Sequence, residues 1–217
     1  MPIFQLAKDS YLFPYPELAD LDGLLAFGGD LSIPRLLSAY SNGIFPWYNP
    51  GEEILWWCPR NRFVIFPKEV HVSRSMKKKL RKNNYETKIN TDFSQIIKKC
   101  KNSREKTWIT DDMEVAYNEL FNVGYVMCVG IYENEVLVGG IYGVIIGKCF
   151  FGESMFSHTN NASKIALIHL CKILSEKNFA FLDCQFHTEH LESMGGRYIS
   201  WNEYHKLLRK GICSVYG

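Results

Sequence analysis

The chain has 217 residues, 47% of them hydrophobic and 22% charged, with a formal net charge of +2. That length suits one large domain or two small ones with a sizeable core, and that composition excludes disorder. No apolar run reaches the ~18 residues of a membrane helix, and Met1 to Asp9 lacks the basic-then-apolar order of a signal peptide, so a cytoplasmic globular protein is expected.

Residues 1–67 are rich in Gly, Pro and aromatics. Phe13-Pro14-Tyr15-Pro16, Gly28-Gly29-Asp30, Phe45-Pro46-Trp47 and Asn49-Pro50-Gly51 are turn or extended signals. One helix is expected over 32–42, with Ser32 as cap, Pro34 in the first turn, and Leu36, Leu37 and Tyr40 at helical spacing. Residues 54–57 and 63–66 read as strands.

Charge then concentrates. From Lys68 to Lys106 there are 13 Lys/Arg against four Asp/Glu, which leaves the rest of the chain net acidic. A basic segment on an acidic protein points to a polyanion partner, or else to a solvated helix face. Helices are expected over 73–83, 91–101 and 110–122, the last capped by Thr110. The pattern next turns to strands: 125–132 and 136–146 as a hairpin, then 149–156. A helix over 162–177, apolar on most sides and preceded by Asn160-Asn161 as cap candidates, should lie buried on the sheet. Strand 179–186, helix 187–194, strand 197–200 and helix 201–210 follow. The fold class is α+β: a small N-terminal α/β domain (1–67), a basic helical segment (68–106), and a mixed-sheet domain (107–217). The order of elements in the last domain is that of the acyltransferase fold called GNAT.

Two clusters carry candidate chemistry. In Phe181-Leu182-Asp183-Cys184-Gln185-Phe186, strand alternation places Asp183 and Gln185 on one face and Cys184 on the other, with the core. The polar pair either lines a cleft or satisfies itself at a strand end. In Phe150-Phe151-Gly152-Glu153-Ser154-Met155-Phe156, Gly152 suits a bulge. Burial would raise the pKa of Glu153 unless a cation pairs with it or it reaches water. Trp47 and Trp108 stand outside regular structure, where an aromatic either stacks on an unpaired base or packs in the core. The seven cysteines form no CxxC pair and read as buried thiols. His187 and His190 lack a third ligand, so no metal is expected, and no cofactor. The turn Ser157–Lys164 contains no glycine, unlike the pyrophosphate-binding turn of acyl-CoA enzymes, so acyl-CoA is disfavoured as donor.

Several strings together resemble the leucyl/phenylalanyl-tRNA–protein transferases along nearly the whole chain. They include Gly28-Gly29-Asp30-Leu31, Gly43-Ile44-Phe45-Pro46-Trp47-Tyr48, His71-Val72-Ser73-Arg74-Ser75 and Thr107-Trp108-Ile109-Thr110. Further on come Gly152-Glu153-Ser154-Met155-Phe156-Ser157, Asn161-Ala162-Ser163-Lys164 and Asp183-Cys184-Gln185. Departures from the family's strings occur at Cys58-Pro59-Arg60-Asn61, Gly130 and Ser200-Trp201.

The resemblance implies transfer of Leu, Phe or Met from its tRNA to a protein beginning with Arg or Lys, which marks that protein for N-end rule degradation. It implies adenosine stacking by Trp47 and Trp108. It also implies a side-chain pocket of Ile141, Phe150, Met155, Leu167, Leu170 and Leu182. tRNA backbone contacts are expected from Arg74, Lys77, Lys78, Lys79 and Arg81, and a monomer is expected. The expected catalytic residues are Gln185, whose side-chain oxygen holds the attacking amine, Asp183, which orients and polarises Gln185, and Glu153, which binds an ammonium. A CoA-dependent acyltransferase and a non-catalytic tRNA-binding module are the rival readings.

Overall fold

A computed structural model describes residues 3–82, 84–103 and 107–213. Asn83, the last residue of the expected basic helix, and residues 104–106, the end of the basic segment, lie outside the described residues. A four-stranded sheet runs in the order β1 (Phe4–Leu6), β2 (Leu24–Gly28), β4 (Leu55–Trp57), β3 (Phe45–Pro46). A seven-stranded sheet runs β11 (Arg197–Ser200), β5 (Asn61–Ile65), β10 (Phe181–Gln185), β9 (Cys149–Ser157), β8 (Val136–Ile146), β7 (Val126–Glu133), β6 (Glu86–Ile89). The large sheet is mixed, because β9 and β10 run parallel while its other neighbours run antiparallel. The expected α+β class therefore holds. β5 lies within the first 67 residues and β6 within 68–106, yet both belong to the large sheet, so the strands do not sort by the expected segments.

Local chemistry explains most element ends. Asn134 and Glu135 both take positive φ, the pattern of a two-residue type I′ turn, and they close the β7–β8 hairpin at the expected place. Thr110 caps α4 (Asp111–Asn122), its Oγ1 accepting from the Met113 N–H at 3.1 Å. Two expected caps differ. Ser32 stands at the start of α1 (Ile33–Ser41) with no bond from its side chain to the helix; its own N–H donates to Asp30, and Pro34 sets the first turn. Asn161 starts α5 (Ala162–Glu176) in the left-handed region with no side-chain cap, and Ser157 Oγ at the end of β9 takes the Ser163 N–H at 3.1 Å instead.

Alternation along the strands gives the large sheet two apolar faces. Ile141, Phe150 and Leu182 pack with α5 on one side. Their neighbours Tyr142, Phe151 and Phe181 join a second cluster on the other side, with α1, α3 (Phe93–Asn102), α4 and α7 (Trp201–Cys213). α5 presses so closely on β8 that a Cβ on Gly139 would sit 2.4 Å from that of Ala162. α2 (Arg74–Lys82) buries only Met76 and carries its charges on the surface. Five of the seven cysteines are buried. No described helix is long and apolar enough to cross a membrane.

Candidate active site

The parallel strands β9 and β10 part company where each carries an irregularity. Pairing between them ends at Asp183 with Phe151. Against β8, the register of β9 shifts between Gly152 and Ser154, so Glu153 is the extra residue of a bulge, as Gly152 foreshadows. Against β5, the register of β10 shifts between Asp183 and Gln185, which makes Cys184 the extra residue. Gln185 itself sits at φ 63°, a strained conformation for a residue with a side chain. Beyond the split lies a cavity of about 470 Å³. Ile141, Met155, Leu182 and Phe156 give it an apolar wall; Glu153, Gln185, Trp108 and Phe186 lie along it too, and His190 and Leu191 from α6 (Glu189–Ser193) help to line it.

The second irregularity overturns the expected alternation. Cys184, expected in the core, lines the cavity, while Asp183 does not line it and is fully buried beneath. Burial pushes the Cys184 thiol pKa well above its ordinary value, so a nucleophilic thiolate is disfavoured there.

Asp183 belongs to a buried ion pair that the sequence reading missed. Arg62, at the start of β5, points its Nε at both carboxylate oxygens, at 3.0 and 2.9 Å. Its Nη2 donates to Gly43 O at 2.6 Å, and its guanidinium lies between the rings of Phe45 and Tyr204. Burial opposes the charge on Arg62, but Asp183 and Tyr204 beside it outweigh burial and hold its pKa above the usual value. Tyr204 OH donates to Asp183 Oδ2 at 2.7 Å, and the Gln185 backbone N–H donates to Oδ1 at 2.8 Å. Asp183 thus fixes the strained backbone of Gln185, not its side-chain amide. That corrects the expected polarising role.

The Gln185 side chain is held by Glu153, whose Oε1 accepts from Nε2 at 3.1 Å. The same Oε1 lies 2.7 Å from Tyr40 OH on α1, and Oε2 lies 3.0 Å from Tyr117 OH on α4. Burial raises the Glu153 pKa to about 7; the hydrogen bonds of Tyr40 and Tyr117 pull the other way, and Asp183 nearby adds to the rise. Both oxygens are engaged, and neither partner set includes a cation. An ammonium, the expected partner of Glu153, would have to share these oxygens with the two phenols and the Gln185 amide.

A family model described as "Leucyl/phenylalanyl-tRNA protein transferase" matches residues 64–209, and the model of that family's N-terminal domain matches residues 29–60. The chain belongs to the leucyl/phenylalanyl-tRNA–protein transferase family. It is 48% identical to the leucyl/phenylalanyl-tRNA–protein transferase of Syntrophus aciditrophicus, over 98% of this chain and 90% of that one. It is 48% identical to that of Azotobacter vinelandii, over 92% of this chain and 90% of that one. Likeness to solved structures is remote. An aminoglycoside acetyltransferase from a soil metagenome aligns with 15% identity and a TM-score of 0.36, over 45% of this chain and 74% of that one. L-PGS from Bacillus licheniformis aligns with 9% identity and a TM-score of 0.44, over 87% of this chain and 73% of that one.

The residues that resemblance to the transferase family singles out are only partly gathered at the cavity. Ile141, Met155 and Leu182 line it. Phe150, Leu167 and Leu170 are fully buried in the same apolar cluster and do not line it. Trp108 lines it, whereas Trp47 is 42% exposed and stands behind Phe186, with ring centroids 5.3 Å apart. Arg74, Lys77, Lys78 and Arg81 are exposed on α2. Lys79 is half-buried and donates from Nζ to Asn160 O, which ties α2 to the turn before α5. His187 Nε2 hydrogen-bonds Glu192 at 2.8 Å, and no group of three or more metal-ligating side chains occurs among the described residues.

Proposed function

We propose that the cavity between β9 and β10 receives the aminoacyl end of a charged tRNA and that Gln185 aligns the amine that attacks it. The transferase family takes aminoacyl-tRNA and a protein acceptor, and this chain is an aminoacyltransferase of that family. The donors are leucyl-, phenylalanyl- and methionyl-tRNA, and the acceptors begin with Arg or Lys. The observation that carries this reading is the split itself: an apolar wall of Ile141, Met155 and Leu182 beside a side-chain amide tethered by Glu153. A cavity of about 470 Å³ falls within the range for small organic groups. An apolar wall separates Leu, Phe and Met by only about 1–3 kcal/mol, whereas branching at the β carbon crowds the reacting centre.

The reaction needs alignment more than force, since the ester is already activated. With Nε2 held by Glu153, the Gln185 Oε1 is free to accept from an N–H of the neutral acceptor amine. The amine nitrogen bonds to the ester carbonyl carbon, the bond from that carbon to the ribose oxygen breaks, and the amine's proton ends on the departing ribose hydroxyl. No side chain need hold a proton through the step. The protein works as a monomer in the cytoplasm, where charged tRNA is found, and its product enters the bacterial N-end rule route.

The experiment is transfer of labelled Leu from tRNA to a peptide beginning with Arg. Transfer without added cofactor is the expected result, and binding of the tRNA with no transfer overturns the reading in favour of a binding module. Two outcomes test the tRNA contacts. Trp108→Ala should weaken binding of leucyl-tRNA by about 1–3 kcal/mol, roughly 5- to 150-fold, as loss of one base stack does; equal Kd values for both proteins would remove Trp108 from the site. Replacing Lys77, Lys78 and Arg81 together by Gln should flatten the plot of log Kd for tRNA against log salt by about 2–3 units, at roughly 0.7–0.9 per phosphate contact. An unaltered slope would place the tRNA elsewhere.

A further inference from the structure

Four oxygens, joined by three contacts and the Glu153 carboxyl carbon, form a closed ring under the cavity, and its hydrogens can be counted. Tyr40 OH lies 2.7 Å from Glu153 Oε1, Tyr117 OH lies 3.0 Å from Oε2, and the two phenol oxygens are 2.6 Å apart. Each of these three contacts needs one hydrogen between its oxygens. Two phenols supply two, because a tyrosine carries a single donor. Gln185 Nε2 adds a fourth contact but uses its own hydrogen, and Tyr142 OH, buried nearby on β8, has no hydrogen-bond partner among the described residues. A charged carboxylate therefore leaves one pair of oxygens facing each other at bonding distance with nothing between them, in a buried place where that is costly.

We propose that Glu153 is the neutral acid in the resting enzyme at acid to neutral pH: its Oε2–H donates to Tyr117, Tyr117 to Tyr40, Tyr40 to Oε1, and Oε1 also receives Gln185 Nε2. This rests on the reading of Gln185 given above and names Tyr40, Tyr117 and Glu153 as its positioning residues. The other groups facing Glu153 agree in sign. Asp183 from β10 is an acid, Tyr142 from β8 and the two phenols are neutral, and burial also favours the protonated form. The ring has a consequence for the chemistry. A neutral Glu153 orients the Gln185 amide yet offers no negative charge to trap the acceptor amine as an ammonium, the form that cannot attack.

The test separates protonation from function. Thermal unfolding of wild type and Glu153→Gln is followed from pH 4.5, the ordinary value for Glu, through about 7, its value in the fold. The sign follows from linkage. The folded state keeps a proton that the unfolded chain releases above pH 4.5, so wild-type stability falls relative to the variant as pH rises to about 7 and then runs parallel. Curves parallel throughout overturn the proposal, whether or not the protein transfers Leu. Should the variant not fold, infrared spectra of wild type labelled at glutamate decide. A protonated-carboxyl band midway through that interval, lost above it, is expected, and its absence overturns the proposal. Kinetics then test positioning. Glu153→Ala should lower kcat about 100-fold, the usual scale for a misplaced reacting group, and Glu153→Gln, which reproduces the donor and acceptor of a neutral acid, should recover most of that loss. Equal losses in both variants, with a raised KM for the acceptor peptide, would assign Glu153 the charge denied to it here.

Discussion

Asp183→Asn should destabilise the protein by about 3–5 kcal/mol, because it leaves Arg62 charged, buried and without its counter-ion. Asn keeps the size of Asp and an oxygen for the Gln185 N–H, so packing loss is not the cause. What changes is that an amide N–H can now face Arg62 Nε, where an oxygen stood at 2.9–3.0 Å. Urea unfolding should show a lower midpoint with the same slope. Replacing both partners at once, Arg62→Met with Asp183→Leu, should cost less than Asp183→Asn alone, since no buried charge remains. A single variant within 1 kcal/mol of wild type, on the order of an ordinary surface change, would show that the pair does not govern this core. In the folded fraction of Asp183→Asn, kcat should fall sharply while leucyl-tRNA still binds, because the cavity wall is untouched.

Gln185→Ala should lower kcat by about 100-fold or more, the scale on which a misplaced reacting group costs rate. The loss should fall on kcat more than on the KM for aminoacyl-tRNA, because the amide meets the incoming amine and not the donor's side chain. Its backbone adds a second effect. Residue 185 holds φ 63° through the bond from its N–H to Asp183, and Ala there keeps the strain of roughly 1–3 kcal/mol that Gln already bears. Gln185→Gly relieves the strain and still lacks the amide, so it should gain stability without activity. A glycine variant with wild-type kcat would remove the side chain from the chemistry.

The parts of this fold that read well from the sequence are those fixed by near neighbours. The β7–β8 hairpin follows from alternating apolar residues around Asn134-Glu135, and α5 follows from its apolar run. The strands β1, β2, β3 and β6 are two to five residues long, and their pairing is set by distant partners, so nothing local marks them. In β6, the charged Glu86 and Lys88 are the device of a sheet edge, though within a lysine-rich stretch they read as more of the same.

The site divides the same way. Gly152 signals the bulge at Glu153. No glycine signals the one at Cys184, because there the strain falls on Gln185, and simple alternation then misplaces both Asp183 and Cys184. Arg62 left one faint trace, a cation opening the apolar strand that continues through Phe63, Val64 and Ile65. Tyr40 and Tyr117 passed as apolar members of helix faces, since nothing in a helical period says that their hydroxyls converge on a carboxyl more than 30 residues from the nearer of them.

Every described residue that lines the cavity lies at or beyond Ser103. The side chains that balance its floor do not: Tyr40 comes from α1, and Arg62 opens β5. A chain begun at residue 64 would keep the whole lining and lose both, leaving Asp183 with Tyr204 but no cation and Glu153 one hydroxyl short. Halves exchanged between relatives should therefore work as hybrids only where the incoming N-terminal part supplies a phenol and a guanidinium at these two points. The residues before Val64 serve as the foundation of the reaction chamber, whatever else they touch.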